Sequence, residues 1–238
     1  MELRDSVALV TGASRGLGLA TARLLAARGA RLIVAARDAR ELASAAAELE
    51  EATHVVAVPA DVAEAAERIV RAGIERFGRV DILVNNASEL GPSPLPELGE
   101  LAWHQFERIL RVNVIAPLHL TQLVLPFMRI NGAGAIVNIT SDAAVNAYAT
   151  WGGYGASKAA LEQLSRVLAE ELKGSGIRVL VIDPGDMNTA MHELAEPGVD
   201  LSHLPGPLPS AHAIVRLLES DSPAFGRFEA QSLVPVSP

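Results

Sequence analysis

The 238-residue sequence contains no cysteine. That excludes disulfides, thiol nucleophiles and thiolate metal sites, and it fits a reducing compartment. Positive charge is in short supply: 20 Lys and Arg stand against 28 Asp and Glu, for a formal net charge of −8 and a pI near 5.3. A balance of that sign argues against a nucleic-acid backbone as partner. No uninterrupted apolar run reaches the ~18 residues of a membrane span, and Met1-Glu2-Leu3-Arg4-Asp5 lacks the apolar core of a signal peptide. The expectation is a soluble, cytoplasmic chain with no membrane partner. The histidines lack metal-ligand spacing: His54, His104 and His119 fall in separate elements, while His192, His203 and His212 are spread along a loop and a helix. No metal is expected. Half of the residues are hydrophobic, which at this length suits one large domain with a substantial core.

Short apolar runs at 7–10, 32–35, 55–58, 82–84, 135–139 and 177–182 read as buried strands, and a last short strand is expected near 228–234. Helical periodicity fills the gaps. One helix covers 17–28 and stops at Gly29. Asp38-Ala39-Arg40-Glu41 is a capping box opening a second helix to about Glu51, and Asp61-Val62-Ala63-Glu64 repeats the pattern before a third that ends near Phe77 and Gly78. Strands alternating with helices predict an α/β fold: a doubly wound parallel sheet of about seven strands, helices on both faces, right-handed crossovers. Residues 88–99 hold three prolines and two glycines and read as loop. Two helices are expected over 101–112 and 114–129. The second is apolar nearly all round (Leu118, Leu120, Leu123, Val124, Leu125, Phe127, Met128), so it needs cover on several sides, part of it from a second subunit. Pro117 suits a first helical turn, whereas Pro126 is expected to kink or end one. The stretch 183–209 is rich in Pro and Gly and long for a structureless connection, as lids often are; 209–219 reads as helix.

Thr11-Gly12-Ala13-Ser14-Arg15-Gly16-Leu17-Gly18 lies between the first strand and the first helix. Glycines there let the chain turn tightly and bring backbone N–H groups to a pyrophosphate, and the helix N-terminus adds unsatisfied donors and a favourable dipole. Gly12-Ala13-Ser14-Arg15-Gly16 also fits G-x-S-x-G, the nucleophile elbow of a serine hydrolase, with Asp183 and then His192, His203 or His212 in the expected chain order. Such a serine normally follows several strands, and this one follows the first.

Tyr154 and Lys158 are four apart at the start of a helix whose apolar residues Leu161, Leu164, Val167, Leu168 and Leu172 keep three-to-four spacing. They share a face, one turn apart. A fixed ammonium near a phenol is expected to favour the phenolate and to lower the phenol's pKa. The pair could then exchange a proton with an alcohol oxygen. Taken alone the pattern is common, and an ordinary helix start with an exposed lysine has the same spelling.

With both features placed, residues 6–190 resemble the short-chain dehydrogenase/reductase family. The motifs that carry the resemblance occur in order: T-G-x-x-x-G-x-G over Thr11 to Gly18, N-N-A at Asn85-Asn86-Ala87, a helix asparagine at Asn113, a serine at Ser141 thirteen residues before Tyr154, Y-x-x-x-K at Tyr154 and Lys158, and P-G-x-x-x-T from Pro184-Gly185 to Thr189. The resemblance implies a Rossmann-type dinucleotide-binding and catalytic domain over 1–238, with a substrate loop over about 184–209. It implies that Tyr154 is the general acid/base, that Lys158 lowers its pKa and holds the nicotinamide ribose, that Ser141 hydrogen-bonds the substrate oxygen, and that Asn113 anchors a water next to Lys158. It places the cofactor on Gly12, Ser14, Arg15, Gly16, Leu17 and Gly18, on Asp61, Val62, Asn86 and Ala87, and on Pro184, Gly185 and Thr189. A homodimer or homotetramer formed through the long helices is the family's usual assembly.

In NAD-dependent relatives an acidic residue ends the second strand and binds the adenosine ribose. Here Ala36 holds that position and Arg37 follows, with Arg15 near the same pocket. Two guanidinium groups suit a 2′-phosphate, which predicts NADP(H) over NAD(H). Asp38 reads as an N-cap. Asp61 resembles the residue that contacts adenine, and a capping role is compatible with that. The expected activity is reversible hydride transfer between NADP(H) and a small-molecule carbonyl/alcohol pair. A non-catalytic NADP(H)-binding sensor on the same fold and the serine hydrolase are the alternatives.

Two residues depart from the family pattern. Ser88 stands where glycine usually follows Asn-Asn-Ala. Asp142 follows Ser141 where small or neutral residues are usual; it either faces the substrate pocket, favouring a cationic substrate, or caps a turn. Tyr148, Trp151, Met187, Met191 and His192 are either pocket wall or packing. Beyond about Met191 no family motif is recognisable, and substrate inference stops there.

Overall fold

The computed structural model describes residues 1–233. Seven parallel strands, β1 (Val7–Thr11), β2 (Arg31–Ala36), β3 (Val55–Pro59), β4 (Ile82–Asn85), β5 (Gly134–Ile139), β6 (Ile177–Asp183) and β7 (Phe225–Glu229), form one sheet in the order β3-β2-β1-β4-β5-β6-β7. The central strands are apolar at nearly every position because both faces are covered. Successive side chains alternate between the two cores. Ala8, Val10, Leu32, Val34, Ile82 and Val84 face one core with Leu25 of helix α1 (Gly16–Ala27) and Ile214 of helix α8 (Leu208–Glu219). Val7, Leu9, Ile33, Ala35 and Leu83 face the other, with Ile69 of helix α3 (Ala66–Phe77) and Val124 and Met128 of helix α5 (Ala116–Asn131). The doubly wound sheet expected from the alternating pattern is therefore what the chain forms. Its order reverses between β1 and β4, so the loops leaving those two strands diverge and open a crevice at their C-terminal ends.

Helix α2 (Ala39–Glu50) begins as expected at Asp38, whose carboxylate accepts the N–H groups of Arg40 and Glu41. The second half of that capping box does not form: Glu41 turns to Ser14 and Arg15. Asp61 caps only a turn, accepting the Ala63 N–H, and α3 starts five residues later at Ala66.

The expected pair of helices over 101–112 and 114–129 is one continuous rod. Helix α4 (Trp103–Leu110) runs through a π-helical turn, Arg111–Ile115, into α5. Pro117, expected in a first turn, directly follows the π-helical turn inside the rod, so its missing N–H falls within the continuous helix and not at a free end. Pro126 lies inside α5 without ending it; Leu120, Val124 and Met128 are buried along the helix and hold it to the sheet. The rod Trp103–Asn131 is long and apolar enough to cross a bilayer by length and composition, yet half of its most apolar window is buried in the protein. Ile115, Leu118 and Ile130 remain exposed.

Helix α6 (Gly152–Glu171) carries Tyr154 and Lys158. The stretch 183–209 is not structureless: Thr189 caps a short helix α7 (Ala190–Ala195). The last strand is also earlier than expected, at Phe225–Glu229, and the chain then coils into helix α9 (Ala230–Leu233). Polar Arg227 and Glu229 disguise the strand in the sequence, and β6 ends at Asp183, opposite Glu229, leaving no edge for Ala230 to pair with. The expected end of that strand, Val234, lies outside the described residues.

One glycine fixes how closely α1 approaches β1. A Cβ on Gly18 would sit 2.2 Å from the Gly12 carbonyl oxygen and 2.5 Å from Asn86 Nδ2. Backbone cannot yield to that as a flexible side chain would. Gly18→Ala should therefore lose about 1–3 kcal/mol or more of stability. A thermal melt checks this, and an unchanged Tm would mean that the helix and strand are not in contact there.

Candidate active site

The loops at the C-terminal ends of the strands enclose a cleft of about 760 Å³. Its floor is the glycine turn, which a network from β4 holds in place. Thr11 Oγ1 donates to the Val84 carbonyl at 3.2 Å and accepts the N–H groups of Asn86 and Ala87, both at 3.0 Å. Asn86 Nδ2 donates to the carbonyls of Thr11 at 2.8 Å and Gly12 at 3.2 Å. Gly12 and Gly16 have φ of +65° and +58°, backbone that only glycine adopts readily. The first turn of α1 carries no acidic side chain and no side-chain cap. Its N–H groups are left for a ligand, and the arrangement fits a pyrophosphate.

Gly12, Ser14, Arg15, Gly16 and Leu17 all line the cleft; Gly18 lies beneath them against Gly12. Arg37, Asp61 and Val62 line one end, Asn86 and Ala87 the middle, and Pro184, Gly185 and Thr189 the other wall. Asn86 Nδ2 is spent on the turn. At the Arg37 end, Arg15 pairs with Glu41 at 3.4 Å and Arg37 reaches across to Glu89 at 3.2 Å; both arginines are exposed. The Asp38 carboxylate is committed to its helix cap. Asp61 is bound by Arg108. Its partial burial works to raise the carboxyl pKa, but the Ala63 N–H, Arg108 and Arg37 together hold it below the usual range.

The other end holds Ser141, Tyr154 and Lys158. Lys158 Nζ donates to the Ile139 carbonyl at 2.9 Å and lies 5.4 Å from the centre of the Tyr154 ring. Trp151 meets that ring edge-on, centroids 5.9 Å apart. Burial pushes the Lys158 amine down to about 7. Burial also pushes the Tyr154 phenol up, and the Asp183 and Asp142 carboxylates push it the same way, while the neighbouring Ser88 side chain opposes them. The expected lowering of Tyr154 by Lys158 is thus absent from the chain by itself. Desolvation disfavours both charged forms.

Asn113 does not line the cleft. Its side chain is buried and fully used: Nδ2 donates to the Glu89 carbonyl at 2.8 Å and to Ser157 Oγ at 2.9 Å, while Oδ1 accepts the Glu89 N–H at 2.7 Å and the Ser88 hydroxyl at 3.2 Å. Ser157 Oγ in turn donates to the Tyr154 carbonyl at 2.6 Å. The π-helical turn carries Asn113 into this position, and such turns recur at functional sites. Ser157 is a residue that sequence reasoning passed over, although it sits inside the Tyr154–Lys158 motif. Ser88, the departure from glycine, donates its hydroxyl to Asn113, and Ser157 links Asn113 to Tyr154.

Ser141 caps a single 3₁₀ turn, Asp142–Ala144, accepting the Ala143 N–H at 3.1 Å. The cap is therefore Ser141 and not Asp142. Asp142 lines the cleft and accepts the hydroxyls of Ser141 at 3.0 Å and Tyr148 at 2.6 Å. Trp151, Met187, Met191 and His192 line the cleft, whereas Tyr148 stands outside it, half exposed. The hydrolase constellation is not assembled. Ser14 Oγ donates to Glu41, Asp183 accepts from Gly185 and Arg227, His192 pairs with Glu196, and His203 Nδ1 bonds the Asp200 carbonyl.

Residues 6–199 match the sequence profile described as short chain dehydrogenase. The chain belongs to the short-chain dehydrogenase family. It is 40% identical to the 2-(R)-hydroxypropyl-CoM dehydrogenase of Xanthobacter autotrophicus, over 78% of this chain and 76% of that one. Its fold superposes on a 7α-hydroxysteroid dehydrogenase complexed with NADH at a TM-score of 0.85, with 31% identity, covering 96% of this chain and 94% of the other. It superposes on a metagenomic short-chain oxidoreductase complexed with NADP at 0.80, with 29% identity, covering 96% and 99%. Oxidoreductase chemistry on small molecules with a nicotinamide cofactor follows from membership of the short-chain dehydrogenase family.

The two opposed influences on Tyr154 can be separated because the chain holds only two tyrosines. In a Tyr148→Phe background, ultraviolet titration reads Tyr154 alone. Its midpoint should lie above the ordinary phenol value of 10.0, and Lys158→Met should leave it there. A midpoint below that value, rising on Lys158→Met, would mean that the ammonium governs the phenol.

Proposed function

We propose that this chain is an NADP(H)-dependent oxidoreductase that interconverts a carbonyl and a secondary alcohol on a small molecule. The observation that carries the reading is the meeting, in one cleft, of the glycine turn, Arg15 and Arg37 at one end with Ser141, Tyr154 and Lys158 at the other. The bound nicotinamide supplies or takes the hydride. Every remaining task falls to the chain. The glycine turn and the N-terminus of α1 hold the pyrophosphate. Arg37 and Arg15 exchange Glu89 and Glu41 for the 2′-phosphate, and Gly185 and Thr189 hold the carboxamide side.

In the reducing direction Tyr154 starts in its neutral form, the form its burial favours, and gives the phenolic proton to the carbonyl oxygen. Ser141 orients that oxygen. Lys158 donates to the cofactor ribose, gains charge as polar groups fill the cleft, and stabilises the phenolate left behind. Asn113 acts from behind the wall by holding Ser88 and Ser157. The relatives described above hold NADH in one case and NADP in the other. The preference for NADP(H) therefore rests on Ala36 and Arg37 at the end of β2 and on the capping role of Asp38. The exposed apolar residues Ile115 and Leu118 of α5 and Val167 of α6 suit a homodimer or homotetramer through these helices. The absence of cysteine supports a cytoplasmic location.

Two measurements test the reading. With NADPH and a panel of carbonyl substrates, Tyr154→Phe should reduce turnover by ~10²–10⁴-fold, the span of general acid catalysis. Cofactor binding with no turnover on any substrate, in wild type as in the variant, would favour the sensor. Arg37→Ala should weaken NADPH binding by ~10–100-fold, the loss of a charged hydrogen bond, and leave NADH nearly unchanged. Tighter binding of NADH than NADPH by the wild type would defeat the cofactor assignment.

A further inference from the structure

Beyond the last recognisable family motif, β7 sends one side chain back toward the cleft from behind. Arg227 Nε donates to Glu162 Oε1 at 2.9 Å, and one terminal nitrogen donates to Asp183 Oδ2 at 3.1 Å and to the Ser141 backbone carbonyl at 3.3 Å. Its partners lie on three different elements: Glu162 on α6, Asp183 at the end of β6, and Ser141 just beyond β5. Both carboxylates are nearly sealed from solvent, with side-chain exposures of 3% and 7%. Each has further duties. Glu162 Oε1 accepts the Thr140 hydroxyl at 2.8 Å and Oε2 the Arg166 guanidinium at 3.1 Å. Asp183 Oδ1 accepts the Gly185 N–H at 3.0 Å. Arg227 is not part of the cleft wall.

We propose that Arg227 is a positioning residue: by fixing the Ser141 carbonyl and the Asp183 carboxylate it sets where the Ser141 hydroxyl and the Gly185 backbone stand in the cleft. The part concerning catalysis rests on the proposed reading of Ser141 as the group that orients the substrate oxygen. The physical reason lies in the guanidinium fork. A planar group with five donors can hold three oxygens at fixed angles. The strand that carries it is locked in register, with Arg227 opposite Val181 of β6. Without this cation the buried Asp183 carboxylate would have no counter-ion and Glu162 only Arg166, so both would move or take up water, because an unpaired buried charge is costly. Ser141 and the Pro184-Gly185 turn would move with them. A displacement of about 1 Å in a positioned group can cost on the order of 100-fold in rate.

The test uses the full chain as wild type, Ser141→Ala, Arg227→Met and the double variant. Arg227→Met should lower kcat by on the order of 10–100-fold, but by less than about twofold once Ser141 is already Ala, the non-additivity of residues acting as a unit. Arg227→Lys, which keeps the charge without the fork, should recover only part of the loss. Independently of activity, hydrogen exchange should quicken at the Ala143 and Gly185 amides in Arg227→Met while the β5–β6 ladder stays protected. Losses that multiply in the double variant, with exchange at Ala143 and Gly185 unchanged, would reduce Arg227 to a general stabilising residue and overturn the proposal. Equal turnover by wild type and Tyr154→Phe would instead remove the reading of the site, and the exchange result would still decide what Arg227 does. Should Arg227→Met fail to fold, Asp183→Asn with Arg227→Met removes the buried acid that has no other cation together with its partner and carries the same comparisons.

Discussion

The site depends on the burial of one amine. Lys158 Nζ lies in a dry position between α6 and β5, bound to the Ile139 carbonyl. Out of water, its charged form loses hydration and its pKa falls to about 7. The same dryness raises the neighbouring phenol. The chain by itself therefore disfavours the charged form of both groups: the phenol is held neutral and the amine is brought to about 7. An exposed pair at the same spacing would sit at ordinary values, and Y-x-x-x-K would be no more than a helix start.

Around that pair the protein spends polar groups on geometry. Asn86 and Thr11 tie the end of β4 to the glycine turn. Asn113 and Ser157 tie the π-helical turn to the backbone of Tyr154. Arg227 ties β7 to the ends of β5 and β6. These ties run between strand ends or between two helices, because the doubly wound sheet brings its loops out on one side. Buried polar groups of this kind stabilise only when satisfied, and most of these are. The exceptions among the described residues are Thr21 Oγ1, Arg31 Nε and Asn85 Oδ1, which have no partner in the protein.

Much of this was legible before the fold was known. The six apolar runs became β1 to β6, and the inner ones are apolar nearly throughout because both of their faces are buried. The glycine turn was readable from its place between a strand and a helix, and Asp38 as a cap from its position before Glu41. What misled was equally local. Glu41 completes a capping box on paper, but the nearer charge of Arg15 draws it away. Pro126 reads as a kink or an end, and it is not an end: packing against the sheet carries the helix through it. The final strand was misplaced because its pairing with β6, and not any alternation of its own, makes Phe225–Glu229 a strand.

The sequence by itself determined the first six strands, the sheet class, the family, and the places of the glycine turn and of the Tyr154–Lys158 pair, since each of those rests on spacing along the chain. Tertiary structure alone decided the protonation tendencies of Tyr154 and Lys158, the bridging role of Ser157, the withdrawal of Asn113 behind the wall, and the contact of Arg227 with Ser141. The division has a physical cause. Periodicity and turn chemistry act over a few residues, whereas desolvation and the hydrogen-bond partners of a buried group are set by whatever the rest of the chain packs around it. Arg227 and Ser141 are 86 residues apart in sequence and 3.3 Å apart in space.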